Sequence, residues 1–179
     1  MNETKTLIDA CVFAAEKHKF QRRKGYLKIP YINHPLKVCK ILMDCGENDI
    51  NLLIAAILHD IIEDTDTTAD EISRIFNATV AHYVVEVTDD KTLSYTERKE
   101  LQIKKAPGLS DNAKKIKIAD KICNISDMVT YPINWTIERK QVYIDWSEKV
   151  FAGCKGLNTK LDKLFEETVI KSRATLNLQ

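Results

Sequence analysis

Residues Leu52 to Asp64 read LLIAAILHDIIED, an unbroken apolar run that ends in His59, Asp60, Glu63 and Asp64. On a helix, residues three and four apart share a face. His59 and Glu63 are then one turn apart, as are Asp60 and Asp64, while Ile61 and Ile62 carry on the apolar face of Leu58. An imidazole and three carboxylates end up at the tip of a helix that is buried. Charge taken out of water without a partner is costly, so a positive partner is expected there, and a metal ion is the simplest. The alternative is a helix C-terminus with solvated charges. Carboxylates at that end oppose the helix dipole, and the flanking apolar residues keep water away.

Upstream, apolar residues recur at helical spacing from Thr6 to Phe20. That helix runs into the basic segment Lys17 to Lys24, and Gly25 and Pro30 mark a loop. Three readings fit this loop: a solvated surface, a nuclear-localisation signal, or a clamp for a phosphorylated substrate, for which arginine is suited by its fork of donors. Next stand Tyr31-Ile32-Asn33-His34-Pro35, with Pro35 at a helix start. His34 thus lies at a helix N-terminus, where a lone histidine is more often structural. It gains weight from the second histidine and the carboxylates elsewhere.

Downstream, Asn48 or Asp49 caps the central helix, and Thr68-x-x-Glu71 and Ser94-x-x-Glu97 form two capping boxes. Ser110 or Asp111 opens a long helix through Met128 in which Asp120 sits among apolar residues, with Asn124 one turn beyond. Asp120 reads either as a metal partner or as the polar edge of an amphipathic helix. Trp135, Arg139 and Tyr143 make one stripe, read equally as a packing face or as a rim facing a nucleotide. Lys160 to Arg173 forms a last amphipathic helix. No stretch alternates as a half-buried strand does, and about nine helices are expected by periodicity. The expected architecture is all-α, a single domain over residues 1–179 with its core motifs in 10–156 and a packing helix in 158–175.

Composition bounds the function. Lys+Arg total 27 against 26 Asp+Glu, a formal net charge of +1, which gives no global pull toward nucleic acid or membrane. The longest apolar run is far too short to span a bilayer. The five cysteines are odd in number and lack metal-type spacing, so reduced thiols in an intracellular, cytoplasmic setting are expected. No signal-peptide core opens the chain, and nothing in the sequence specifies an oligomeric state.

The motifs RRK (22–24), PYINHP (30–35), AAILHDIIEDTDTT (55–68), EVTDDKTL (86–93), ERKELQ (97–102) and KIADKICNISD (117–127) occur in that order. Together they resemble the HD-domain phosphohydrolases, and among these the hydrolase domain of the RelA/SpoT family, with its small stand-alone metazoan members most alike. The resemblance implies hydrolysis of guanosine 3′,5′-bis(diphosphate) at the 3′-pyrophosphate, giving GDP and pyrophosphate, with an NADPH 2′-phosphatase as an alternative or additional activity. It implies a manganese ion held by His34, His59, Asp60 and Asp120, with Glu63 and Asp64 as the acidic pair that activates or orients water. Arg23, Lys24, Asn124, Arg139 and Tyr143 match positions that line the nucleotide. Gly25 stands where an Asp is common, Ser126 where Arg is usual, and Tyr95 where close relatives carry Lys. These departures bear on substrate choice rather than on the metal set.

Two imidazoles and two carboxylates form a mixed N/O set, without the thiolates of structural zinc sites, that suits manganese, iron or zinc alike. Three other functions compete. Another HD nucleotide phosphohydrolase is disfavoured by RRK and EVTDDK. A silent nucleotide sensor has no use for the Glu63-Asp64 pair. A nucleic-acid binder lacks a second basic face.

Overall fold

The computed structural model describes residues 2–177, so residues 1 and 178–179 of the expected domain lie outside the described residues. Every regular element described is helical: α1 (Glu3–Lys17), α2 (Asn33–Asp44), α3 (Ile50–Leu58), α4 (Ile61–Asp64), α5 (Ala69–Ile75), α6 (Ala78–Val87), α7 (Tyr95–Lys105), a 3-10 turn (Ala106–Gly108), α8 (Asp111–Thr130), α9 (Ile137–Cys154) and α10 (Thr159–Asn177). The all-α expectation holds. The tenth helix arises because the central one divides into α3 and α4.

Helix starts follow the capping residues. Asp49 accepts from the Asn51 backbone N–H, Thr68 from Glu71, Asn77 from Val80, Ser110 from Ala113 and Thr136 from Arg139. At Ser94 and Glu97 both halves of the capping box form. Each such cap stabilises its helix by about 1 kcal/mol.

From Leu52 to Leu58 the α3 helix is apolar all round, and every one of these residues is buried, as a helical stretch without a polar face must be. It packs against α1, α2, α6 and α8. Burial of each of its Leu and Ile side chains stabilises by about 1.5–3 kcal/mol. The long α8 is the second axis, packed against α2, α3, α6, α9 and α10. One apolar cluster runs from Ala10 to Leu176.

The division at His59-Asp60 corrects the simple picture of one continuous helix. α3 ends at Leu58, and Asp60 sits at φ −99°, ψ 0°, the edge of the right-handed region. The ladder resumes where the Asp64 N–H donates to the Asp60 carbonyl at 2.9 Å. His59 and Asp60 therefore leave the apolar rod at a turn.

Two contacts set the walls of the site. Gly153 of α9 lies against the 3-10 turn: a Cβ there would stand 2.8 Å from Ala106 Cβ and 3.0 Å from Pro107 Cδ. The missing side chain lets α9 approach, and Trp146 Nε1 then donates to the Lys99 carbonyl of α7 at 3.0 Å. On the other side the basic loop folds back on itself, with the Arg23 N–H on the Ile29 carbonyl and the Tyr31 N–H on the Gln21 carbonyl.

Candidate active site

The basic loop, α2, the α3–α4 turn, α7, α8 and α9 enclose a cavity of about 490 Å³. At its floor, α2 supplies His34, the turn supplies His59 and Asp60, and α8 supplies Asp120. His34 Nε2 lies 3.1 Å from Asp120 Oδ1 and 3.6 Å from Asp60 Oδ2. His59 Nε2 lies 3.0 Å from Asp60 Oδ2 and 3.8 Å from Asp120 Oδ1. Ligand-type atoms of His34, His59 and Asp120 all fall within 4.8 Å of one another.

These groups fit a cation. His59 Nδ1–H donates to the Ala56 carbonyl at 2.8 Å, which turns Nε2 toward the carboxylates. Buried His59 Nε2 has no hydrogen-bond partner among the described residues, and a buried polar atom left so requires an explanation. Electrostatics agree. Burial works to lower the His59 pKa, yet Asp60 and Asp120 outweigh it and raise it to about 10; the floor calls for positive charge. His34 behaves oppositely, with burial holding its pKa below the usual histidine value. A second cluster, His34 with Cys123 and Asp127, fits less well. Burial and then Asp127 push the Cys123 thiol up to about 12, and Asp127 is already paired with Arg23 and Lys37.

The carboxylates are held in place. The Tyr31 hydroxyl donates to Asp60 Oδ2 at 2.5 Å, Lys121 Nζ to Asp120 Oδ2 at 2.7 Å, and Asn124 Nδ2 to Asp120 Oδ1 at 2.5 Å. Such supporting hydrogen bonds fix ligand orientation. Burial tends to raise the Asp60 carboxyl, but the two imidazoles hold it well below the carboxylate range.

The acidic pair lines the same cavity, and its members differ. Both oxygens of Asp64 are engaged, Oδ2 by Gln21 Nε2 at 2.8 Å and Oδ1 by Lys91 Nζ at 2.6 Å. Glu63 is held more loosely, by the Asp89 N–H at 3.3 Å and Arg98 at 3.7 Å. Burial first, then Asp60 and Asp89, raise the Glu63 pKa.

Of the residues expected around a nucleotide, Arg23, Lys24, Asn124 and Tyr143 line the cavity. The Arg23 guanidinium donates to Asn124 Oδ1 at 2.7 Å and to Asp127 Oδ2 at 3.2 Å. Arg139 is exposed and stacks on Trp135, with 4.3 Å between guanidinium and ring; Trp135 itself lines the cavity. Tyr95 also lines it. Gly25 has φ +122°, and a Cβ would meet the Pro132 carbonyl oxygen at 2.8 Å, so this loop has no room for a larger residue there. Sequence reasoning did not find Tyr31, Lys99, Lys121 or Trp146. The only signal for Lys121 was its place beside Asp120, and for Lys99 its place in ERKELQ.

Comparison with known proteins agrees with this geometry. A protein-family model described as HD domain matches residues 10–152. The chain belongs to the HD-domain family. Within it, the chain is 46% identical to mouse guanosine-3′,5′-bis(diphosphate) 3′-pyrophosphohydrolase MESH1 over 93% of its own length and 96% of that protein's. It is 47% identical to the human protein of the same name over 90% and 92%. It is thus a member of the MESH1 branch of that family. A solved structure described as a metazoan ortholog of SpoT that hydrolyzes ppGpp superposes with a TM-score of 0.89 at 39% identity, covering 95% of this chain and 96% of that one.

Proposed function

We propose that this protein is a metal-dependent hydrolase that removes the 3′-pyrophosphate of guanosine 3′,5′-bis(diphosphate), giving GDP and pyrophosphate, and that it does so on one domain spanning the chain. The observation that carries the reading is the convergence of two buried imidazoles, His34 and His59, on the Asp60 and Asp120 carboxylates at the floor of a cavity walled by an acidic pair and by basic side chains. The names of the MESH1 relatives supply the substrate.

In this reading His34, His59, Asp60 and Asp120 hold a divalent cation; their N/O donor set without thiolate fits manganese, iron or zinc, and manganese is the ion that the family resemblance implies. When bound, the ion supplies positive charge for the phosphoryl oxygens and acidifies the attacking water. Glu63 takes the proton: its raised pKa brings it closer to neutral pH, where a general base works best. Asp64, with both oxygens engaged, orients the water rather than accepting its proton. Arg23 and Lys24 meet substrate phosphates by charge-assisted hydrogen bonds, Asn124 keeps Arg23 and Asp120 in register, and Tyr143 lines the nucleotide. Arg139 contributes by holding Trp135 at the rim.

No described helix is long and apolar enough to cross a membrane. Four of the five free cysteines are buried, which supports a reducing, intracellular setting. The test is direct. Purified protein with manganese is offered the bis(diphosphate), NADPH, NADP and ordinary nucleotides, with a chelator control. Release of GDP and pyrophosphate from the first is the expected result. Turnover of NADPH alone would overturn the substrate assigned here, and turnover unaffected by the chelator would overturn the metal.

A further inference from the structure

The cavity holds cations on two walls, and nearly all of those away from the exposed loop are already matched. Arg23 is tied to Asp127, Lys91 to Asp64, Arg98 to Glu63 and Lys121 to Asp120. Lys117 Nζ donates to the Val87 carbonyl at 2.6 Å and lies 3.9 Å from Asp89. Lys99 differs. Its ammonium sits 3.0 Å from the centre of the Trp146 ring and 4.9 Å from that of Tyr143. It has no hydrogen-bond or ion-pair partner among the described residues. The same Trp146 ring has Lys121 Nζ at 4.7 Å, and Lys121 in turn donates to Asp120. Lys99 of α7 thus shares the Trp146 ring of α9 with Lys121 of α8, which ties it to the floor through Asp120.

A half-buried ammonium on an indole face gains from the ring quadrupole, but two ammonium groups on one ring repel. Burial and then Lys121 push the Lys99 pKa down to about 6. Asp120 and Asp89 offset this only in part. A dianionic group placed between Lys99 and Lys121 offsets the rest.

Building on the hydrolase reading above, we propose that Lys99 and the Trp146 face form a subsite for the outer phosphoryl of the leaving diphosphate, so that the cavity selects substrates that release pyrophosphate over those that release orthophosphate. The inner phosphoryl then lies over the His34-His59 floor and the nucleoside lies toward Trp135 and the loop. The chemical step is unchanged: water adds to the inner phosphorus as Glu63 takes its proton, the bond from that phosphorus to the ribose 3′-oxygen breaks, the departing 3′-oxygen regains a proton from Glu63 as the hydroxyl of GDP, and the diphosphoryl group is released as pyrophosphate.

The experiment is a calorimetric titration of inorganic pyrophosphate, as its magnesium complex, into protein held in excess magnesium, with orthophosphate run in parallel. Lys99→Met keeps the length and removes the charge; Lys99→Arg restores charge. We expect Lys99→Met to weaken pyrophosphate at least tenfold and orthophosphate less than threefold, with Lys99→Arg recovering most of the loss. Equal affinity of wild type and Lys99→Met for pyrophosphate, or equal weakening of both anions, would overturn the subsite. Thermal unfolding of each variant is the folding control, and Lys99→Gln serves if Lys99→Met does not fold. A second arm compares the bis(diphosphate) with guanosine 5′-diphosphate 3′-monophosphate: kcat/KM for the first falls at least tenfold in Lys99→Met, and for the second less than threefold. If wild-type protein turns over neither nucleotide, the hydrolase reading fails, while the titration still decides the subsite.

Discussion

Gln21 Nε2 donates to Asp64 Oδ2 at 2.8 Å, joining the basic loop to the acidic pair across the mouth of the cavity. The orientation of this amide is fixed from behind. His18 Nδ1 lies 2.6 Å from Gln21 Oε1, and since that oxygen only accepts, the ring must donate. The buried His18 ring packs on Tyr31 with 5.0 Å between centroids.

Gln21→Leu therefore frees one carboxylate oxygen and loosens the loop. A hydrogen bond to a charged group contributes about 1.5–3 kcal/mol, so kcat/KM is expected to fall by roughly tenfold to a hundredfold. Steady-state kinetics on the bis(diphosphate) reads this. Unchanged kcat/KM would mean that Asp64 is held well enough by Lys91 alone.

Metal removal should cost both activity and stability. Dialysis against a chelator is expected to bring turnover to background. An ion present at a hundred times its Kd stabilises by about 2.7 kcal/mol, so the chelated protein should melt roughly 5–10 °C lower. Added manganese should restore both readings. A melting temperature indifferent to the chelator would argue that the four floor residues hold no ion.

Glu63→Gln should retain metal, measured by elemental analysis, and lose about 10²- to 10⁴-fold in kcat. The pH behaviour follows from the raised Glu63 pKa. The base works ionised, so wild-type activity is lost as pH falls through a midpoint above the ordinary glutamate value, and this limb should be absent from the residual rate of the variant. The same shift has a stability consequence. A carboxyl whose folded pKa lies above its unfolded one loses stability as pH rises from the unfolded through the folded value. In metal-free protein at neutral pH, Glu63→Gln should therefore melt at or above the wild-type temperature. A clear drop would contradict a half-buried carboxylate whose ionised form is disfavoured.

Gly25→Asp introduces the residue that the family resemblance leads one to expect at this position. It places a Cβ against the Pro132 carbonyl at φ +122°, a backbone state costing a non-glycine residue about 1–3 kcal/mol. The loop should shift, with KM rising several-fold, kcat changing little, and the melting temperature falling by a few degrees. Wild-type KM in this variant would show that the loop accommodates the side chain without moving Arg23 or Lys24.

The helices and their starts were readable because caps and apolar spacing are local. Ser94-Glu97 and Thr68 mark starts in sequence and in structure alike. His34, His59, Asp60 and Asp120 were legible as a group through motif order, and the structure brings them to one floor. The turn at His59-Asp60 was not, because Ile61 and Ile62 continue the apolar pattern straight through it. Lys99 was not readable either: on α7 alone it looks like any exposed lysine of a charged helix. Its setting exists only once Trp146 arrives from α9 and Lys121 from α8. The Tyr31 contact to Asp60 likewise depends on how the loop docks.

The floor draws on α2, on the turn after α3 and on α8, so its last member, Asp120, is synthesised some eighty-six positions after the first, His34. A nascent chain emerging from the ribosome cannot capture the cation until α8 has cleared the exit tunnel and docked. If the floor holds an ion as proposed, its loading is then a late event in the making of the chain, and retention of the ion would distinguish finished molecules from truncated or misassembled ones.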